Sequence, residues 1–218
     1  MHIPDGILTP EAVIGGYVAA GALTAFSLRQ INKQNVDPTE NVPKAALLTA
    51  TFFVASSIHI PIPPTSVHLI LNGLLGVVLG WYAVPAILVG LFLQAVMFQH
   101  GGLTTLGINA TMMGIPALIG YQIFMLRTRF KFKSPLSTNI FAFMGGAVGL
   151  GLAVLIAFVI LITSIPTYID VATERAAIAT LALAHLPLTI IEGIFTMLII
   201  SFLLRVRPDM VDSNALTH

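Results

Sequence analysis

The first two residues, Met1 and His2, offer three nitrogens within one dipeptide: the α-amine, the His2 backbone nitrogen and the His2 imidazole. A metal acidic enough to displace the amide proton gathers all three in fused chelate rings. They fill three corners of a square plane and leave the fourth open. Square-planar nitrogen coordination suits Ni(II) or Cu(II). His68, at the outer end of an apolar span, is the candidate for that corner. Amine, amide and imidazole must all lose protons to bind, so affinity falls at acid pH. The chemistry needs a free terminal amine. Residues 1–11 contain no Lys or Arg and carry Asp5 and Glu11, the wrong sign for a signal peptide. A large second residue also disfavours removal of Met1, so the mature chain is expected to begin there. The plain alternative is a terminus that frays into water.

Other polar residues in apolar surroundings form a second set. Ile3-Pro4-Asp5-Gly6-Ile7-Leu8 mixes apolar residues with a Pro-Asp-Gly turn signal. Residues 1–9 therefore read as a plug folded back between helices, with Asp5 capping a backbone amide or accepting from a histidine N–H. Gln94, Gln99, His100-Gly101-Gly102, Thr104, Thr105 and Asn109 crowd one stretch. At membrane depth such groups cost several kcal/mol unless partnered. They read as a loop packed into the bundle that holds the plug, or as packing glue between helices. His185 and Glu192 fall on one helix face. Glu192 is the only carboxylate deep within a span, which makes it a candidate functional group by default. Support of structure is preferred to direct ligation, since Glu192 lies about two turns deeper than His185. His59, beside Pro61, Pro63 and Pro64, reads as interfacial. Thr65 and Ser66 read as an N-cap pair ahead of His68.

The elements that must position these groups are membrane helices. Only 9% of the 218 residues are charged and 56% are apolar; a soluble domain is about 25% charged. This excludes a soluble globular domain, a disordered chain and a nucleic-acid binder. There is no cysteine, hence no disulfide and no thiolate chemistry. From Ala45 to Leu126, 82 residues pass without Asp, Glu, Lys or Arg. Breaks at Pro61–Pro64, Trp81–Pro85 and His100–Gly102 divide them. Seven spans follow, at about 10–28, 45–60, 66–82, 85–99, 105–126, 137–163 and 177–204, with a polar tail over 205–218. The runs are apolar all round, not alternating, so a β-barrel is rejected. The fold class is an all-α polytopic membrane protein forming a single transmembrane domain over 1–204.

With the N-terminus outside and the C-terminus cytoplasmic, nine of the ten Lys and Arg residues fall inside, and only Arg175 outside. That orientation puts His2, His59, His68, His100 and His185 in the outer half. Neutral imidazole is a common ligand of first-row transition metals, so the clustering points to metal captured from outside. Walker A, H-E-x-x-H and G-x-S-x-G patterns are absent.

The opening Met-His-Ile-Pro-Asp-Gly, the segment Ser66-Val67-His68-Leu69, the block from Gln94 through His100-Gly-Gly-Leu-Thr-Thr-Leu-Gly to Asn109, and the segment His185 to Glu192-Gly193 resemble the CbiM/NikM family. These are the substrate-binding S components of energy-coupling factor (ECF) transporters for cobalt and nickel. The resemblance implies a six-helix S-component core with one extra N-terminal helix. It implies metal held by the Met1 amine, the His2 backbone nitrogen and side chain, and His68, with the loops around His100 and Asn109 in support. It also implies a transmembrane coupling protein, a pair of cytoplasmic ATPases and a small accessory membrane subunit, the last inferred here as a separate chain. The protein would then sit multi-pass in the plasma membrane, hold no resident cofactor, carry Ni2+ or Co2+ as transported ligand, and leave ATP hydrolysis to partners. Three readings compete: an intramembrane enzyme using His185 and Glu192, an S component for an organic vitamin, and a structural subunit that binds nothing.

Overall fold

The computed structural model describes residues 2–34, 37–62, 65–132, 134–165 and 170–212; side chains are described for these except at 59–62, 65–66 and 212. The elements run α1 (Pro10–Gln34), α2 (Val42–Ser57), β1 (His59–Ile62), β2 (Thr65–His68), α3 (Asn72–Leu79), a 3-10 turn (Gly80–Tyr82), α4 (Ala83–Phe98), α5 (Leu106–Arg129), α6 (Pro135–Thr163), α7 (Val171–Val206) and the short α8 (Asp209–Asp212). Among the described residues the protein is all-α apart from one hairpin, and five stretches are long and apolar enough to cross a membrane: α1, the segment Asn72–Phe98, α5, α6 and α7; α2 is apolar but shorter.

Local chemistry sets the ends of these helices. Ser134 caps α6 by accepting from the Ser137 amide at 3.1 Å, with Pro135 in the first position, where its missing N–H costs nothing. Asp170 caps α7 through the Ala172 amide at 3.2 Å. Lys33, Arg127, Arg129 and Arg205 occupy last turns, where the helix dipole favours cations. Outward faces stay apolar: Val18 is 67% exposed, Leu47 62% and Leu183 63%. Surfaces of that kind belong in hydrocarbon.

The segment Asn72–Phe98 is not one straight span. As a single helix its 27 residues would separate its ends by about 40 Å. Yet the rings of His68, just before it, and His100, just after it, are in contact. The chain reverses at Gly80, whose φ of 57° and ψ of −125° end α3, and α4 returns to the starting level. All eight residues of α3 are buried. It packs on α5 and α6 so closely that a Cβ at Gly76 would overlap the Ala117 carbonyl. The Asn72 amide donates to the Met113 carbonyl at 3.2 Å and the Gly149 carbonyl at 2.9 Å, fastening α3 to both neighbours.

The approach to His68 departs from the sequence reading. Thr65 and Ser66 do not cap a helix. They lie in β2, which pairs antiparallel with β1 in the register His59↔His68 and Ile62↔Thr65. The helix begins only at Asn72, after a turn in which Leu71 takes a left-handed φ of 56°. The six other predicted stretches fall on the helices α1, α2, α4, α5, α6 and α7, to within several residues at each end.

Candidate metal site

His2, His68 and His100 meet at one end of the bundle, each offering a ring nitrogen within 4.8 Å of the others. The His2 ring stacks on His68 at 5.1 Å between centroids and meets His100 edge-on at 4.2 Å. Nε2 of His68 lies 3.3 Å from Nε2 of His100. Nδ1 of His68 is 3.1 Å from the Leu69 carbonyl and so carries the proton. That tautomer leaves Nε2 as the basic nitrogen, turned toward His100. His68 is buried, while His2 and His100 are half-buried. Three clustered imidazoles with no lysine or arginine among them suit a borderline-soft divalent cation. Met1 lies outside the described residues.

Three segments bring these rings together. The first is residues 2–9. Ile3 is 1% exposed, and its backbone is clamped by Asn109, which is itself buried. The Ile3 amide donates to Oδ1 of Asn109 at 3.0 Å, and Nδ2 of Asn109 donates back to the Ile3 carbonyl at 3.0 Å. The Thr105 hydroxyl donates to the same carbonyl at 2.7 Å. Two residues on, the Asp5 carboxylate accepts from the Thr104 amide at 3.0 Å, the Thr105 amide at 3.3 Å and the Thr104 hydroxyl. These amides belong to the two residues just before α5, so Asp5 fixes the approach to that helix from another part of the chain. The Thr104 hydroxyl and the backbone amides hold the Asp5 carboxyl below its ordinary pKa, against a smaller opposing effect of burial.

The second segment is the loop after α4. Gln99 and His100 both donate their amides to the Gln94 carbonyl, the 6→1 bond of a Schellman cap among them. Gln94 thus supports the loop through its backbone, and its side chain turns to Ser56 of α2. Gly102 tolerates no side chain, since a Cβ would overlap the Asp5 carboxylate.

The third segment is the unwound stretch after His68. The amides of Ile70 and Leu71 both donate to the Glu192 carboxylate, Leu71 at 3.0 Å. An extended backbone inside a membrane protein must find partners away from its own helix. Glu192 of α7 supplies them, and thereby fixes the residues that follow His68. His185 is also buried in α7, with Nδ1 against the Leu181 carbonyl at 2.7 Å. Neither residue joins the histidine cluster, and each is engaged with backbone instead of its counterpart.

Thr105, part of the polar block expected to hold the plug, braces Ile3. The sequence reading passed over one contributor, Asn72, which holds the α3 start. A buried Asn beside helix-packing glycines was the available signal for it.

This fold and site define a multi-pass membrane protein of the transition-metal transport class. Residues 2–210 match the CbiM family, described as the cobalt uptake substrate-specific transmembrane region, and the chain belongs to that family. A relative from Haemophilus influenzae, named for metal transport, is 34% identical over 97% of both chains. The fused nickel transport protein NikMN of Rhodobacter capsulatus is 30% identical over 97% of this chain and 64% of its own length. A crystal structure titled as a truncated transition metal transporter superposes with a TM-score of 0.78 at 28% identity, covering 94% of this chain and 99% of that one.

Proposed function

We propose that this protein is the metal-capturing S component of an ECF importer, taking nickel or cobalt at the end of the bundle where its histidines meet. The observation that carries the reading is the convergence of His2, His68 and His100. The family description names cobalt uptake and one relative is named for nickel transport. The ligands we assign are the Met1 amine, the His2 backbone nitrogen and imidazole, and His68. His100 donates to Nε2 of His68 and holds that ring beside His2; a bound ion would take that nitrogen instead. Asp5, Asn109, Gln94 and Glu192 hold the three segments in place, and His185 supports α7. Four nitrogens in a plane favour Ni(II) over Co(II) by geometry and by the Irving–Williams order. That order favours Cu(II) still more, so rigidity of the clamped segments or metal supply must exclude it.

The same reading gives seven spans, with α3 and α4 as a hairpin of two, the N-terminus outside and the C-terminus cytoplasmic. The single domain then covers 1–204, with residues 1–9 as plug. Inward release is driven by ATP hydrolysis in a separate pair of ATPases, through a transmembrane coupling protein and a small accessory membrane subunit. The intramembrane-enzyme alternative has little left to use, because Glu192 is committed to two backbone amides and Nδ1 of His185 to a carbonyl. The family match stands against the vitamin alternative.

The test is nickel and cobalt binding by purified protein with one residue added ahead of Met1, and separately by His2→Ala. Both changes are expected to abolish binding. An extended chain with normal affinity would remove the terminal amine from the site.

A further inference from the structure

At the end of the bundle away from the histidines, α5, α6 and α7 frame a partly open cavity of about 620 Å³. Asn109 and Arg127 lie on the same helix about 27 Å apart, so the cavity is remote from the histidine cluster. Three cations from two parts of the chain line it: Arg127 in the last turn of α5 and Lys131 in the loop that follows, and Arg205 in the last turn of α7. Thr138, Asn139 and Ser201 add polar groups, and among the described residues no acidic one lines the wall.

The arrangement is built. Arg127 is only 8% exposed and its guanidinium stacks over Phe124 at 4.3 Å. Lys131 stands in a left-handed conformation with φ of 58°, where glycine is the usual occupant. Its amide donates to the Thr128 carbonyl at 3.0 Å, and the next amide donates to the Arg127 carbonyl at 2.7 Å. The capped N-terminus of α6 begins beside the cavity, at Pro135, and adds the positive end of its dipole. Around these groups stand exposed apolar side chains: Phe130 at 61%, Phe132 at 49% and Leu136 at 70%. A soluble anion has no use for such a rim, whereas acyl chains do. Basic pockets between membrane helices hold anionic headgroups in this way.

We propose that this cavity binds the phosphate of an anionic membrane phospholipid, with Lys131 and Arg205 flanking the headgroup and Arg127 beneath it. The site lies at the membrane interface of the basic end, the cytoplasmic leaflet in the proposed orientation.

The test uses the full chain in a neutral detergent, titrated with phosphatidylglycerol, phosphatidylcholine or inorganic phosphate and read by native mass spectrometry. The wild type is expected to retain one phosphatidylglycerol per chain under conditions that strip phosphatidylcholine, and an equal concentration of inorganic phosphate is expected not to displace it. The double variant Lys131→Ala/Arg205→Ala is expected to retain phosphatidylglycerol at least fivefold more weakly, with its lipid-free unfolding midpoint unchanged. If that variant unfolds early, Lys131→Gln and Arg205→Gln are read singly, each expected to weaken retention at least twofold. Equal retention by variants and wild type would overturn the site. Equal retention of phosphatidylcholine would overturn recognition of headgroup charge. Ready displacement by inorganic phosphate would make it a free-anion site, and failure of every probe would leave an acidic partner segment as the occupant.

Discussion

Replacing Asn109 by Leu removes the clamp on the N-terminal segment while keeping nearly the same side-chain size. The Ile3 amide then loses its acceptor at 3.0 Å, and the Ile3 carbonyl loses one of two donors, retaining Thr105 at 2.7 Å. Ile3 is 1% exposed, so its orphaned N–H costs the full desolvation penalty if the segment stays docked. One unsatisfied buried amide together with one lost net hydrogen bond comes to about 2–3 kcal/mol. The segment escapes that cost only by detaching, and detachment carries His2 away from His68 and His100. At 1.4 kcal/mol per tenfold, nickel should bind roughly 30- to 140-fold more weakly. Isothermal titration of wild type and variant, both tagged at the C-terminus only, measures this, with thermal unfolding run alongside. A variant that unfolds like wild type and binds nickel within threefold would refute the argument that the Asn109 clamp positions His2.

Three further outcomes follow from the same geometry. Glu192→Gln turns one of two acceptors into a donor facing a backbone amide, so it should cost about 2–3 kcal/mol of stability, seen as a lower unfolding midpoint; an unchanged midpoint would contradict the role given to Glu192. Gly102→Ala drives a Cβ into the Asp5 carboxylate and should weaken nickel binding by about tenfold, the equivalent of 1–2 kcal/mol of overpacking. Because the folded-state pKa of Asp5 is depressed, its contribution is complete above the ordinary carboxylate pKa and is lost as pH falls through the lower folded value. Asp5→Asn should therefore speed amide exchange of residues 3–9 at pH 7, and the difference from wild type should disappear in strong acid; a difference that persists there would place the effect elsewhere.

What the sequence disclosed, and what it hid, divides along physical lines. The helices announced themselves because a membrane helix satisfies its own backbone, so apolar length and breaks suffice to find it. Six of the seven predicted stretches fall on helices for that reason. The stretch around His68 was misread because its backbone is satisfied from a distance. Glu192 lies far along the chain from Ile70 and Leu71, and nothing local distinguishes an unwound segment served by a remote carboxylate from a helix with a Thr-Ser cap. His2 and His68 stood out by residue type and by their place relative to the spans. The direct contact of His100 with His68 did not: the break at Trp81–Pro85 announced the reversal that puts both at one end, but the approach of the two rings depends on how the loop after α4 folds. Arg127, Lys131 and Arg205 were legible only as charge that orients the chain; their shared cavity needs the packing of α5, α6 and α7.

The central claim is that this chain holds one transition-metal ion through its N-terminal nitrogens and His68. Elemental analysis of the purified protein after metal loading and washing, with an absorption spectrum of the same sample, tests it most directly. The account predicts one nickel or cobalt per chain, a planar d–d band in the nickel form, and loss of both in His2→Ala and His68→Ala. Protein that retains no metal, or retains it equally well in both variants, would contradict the account.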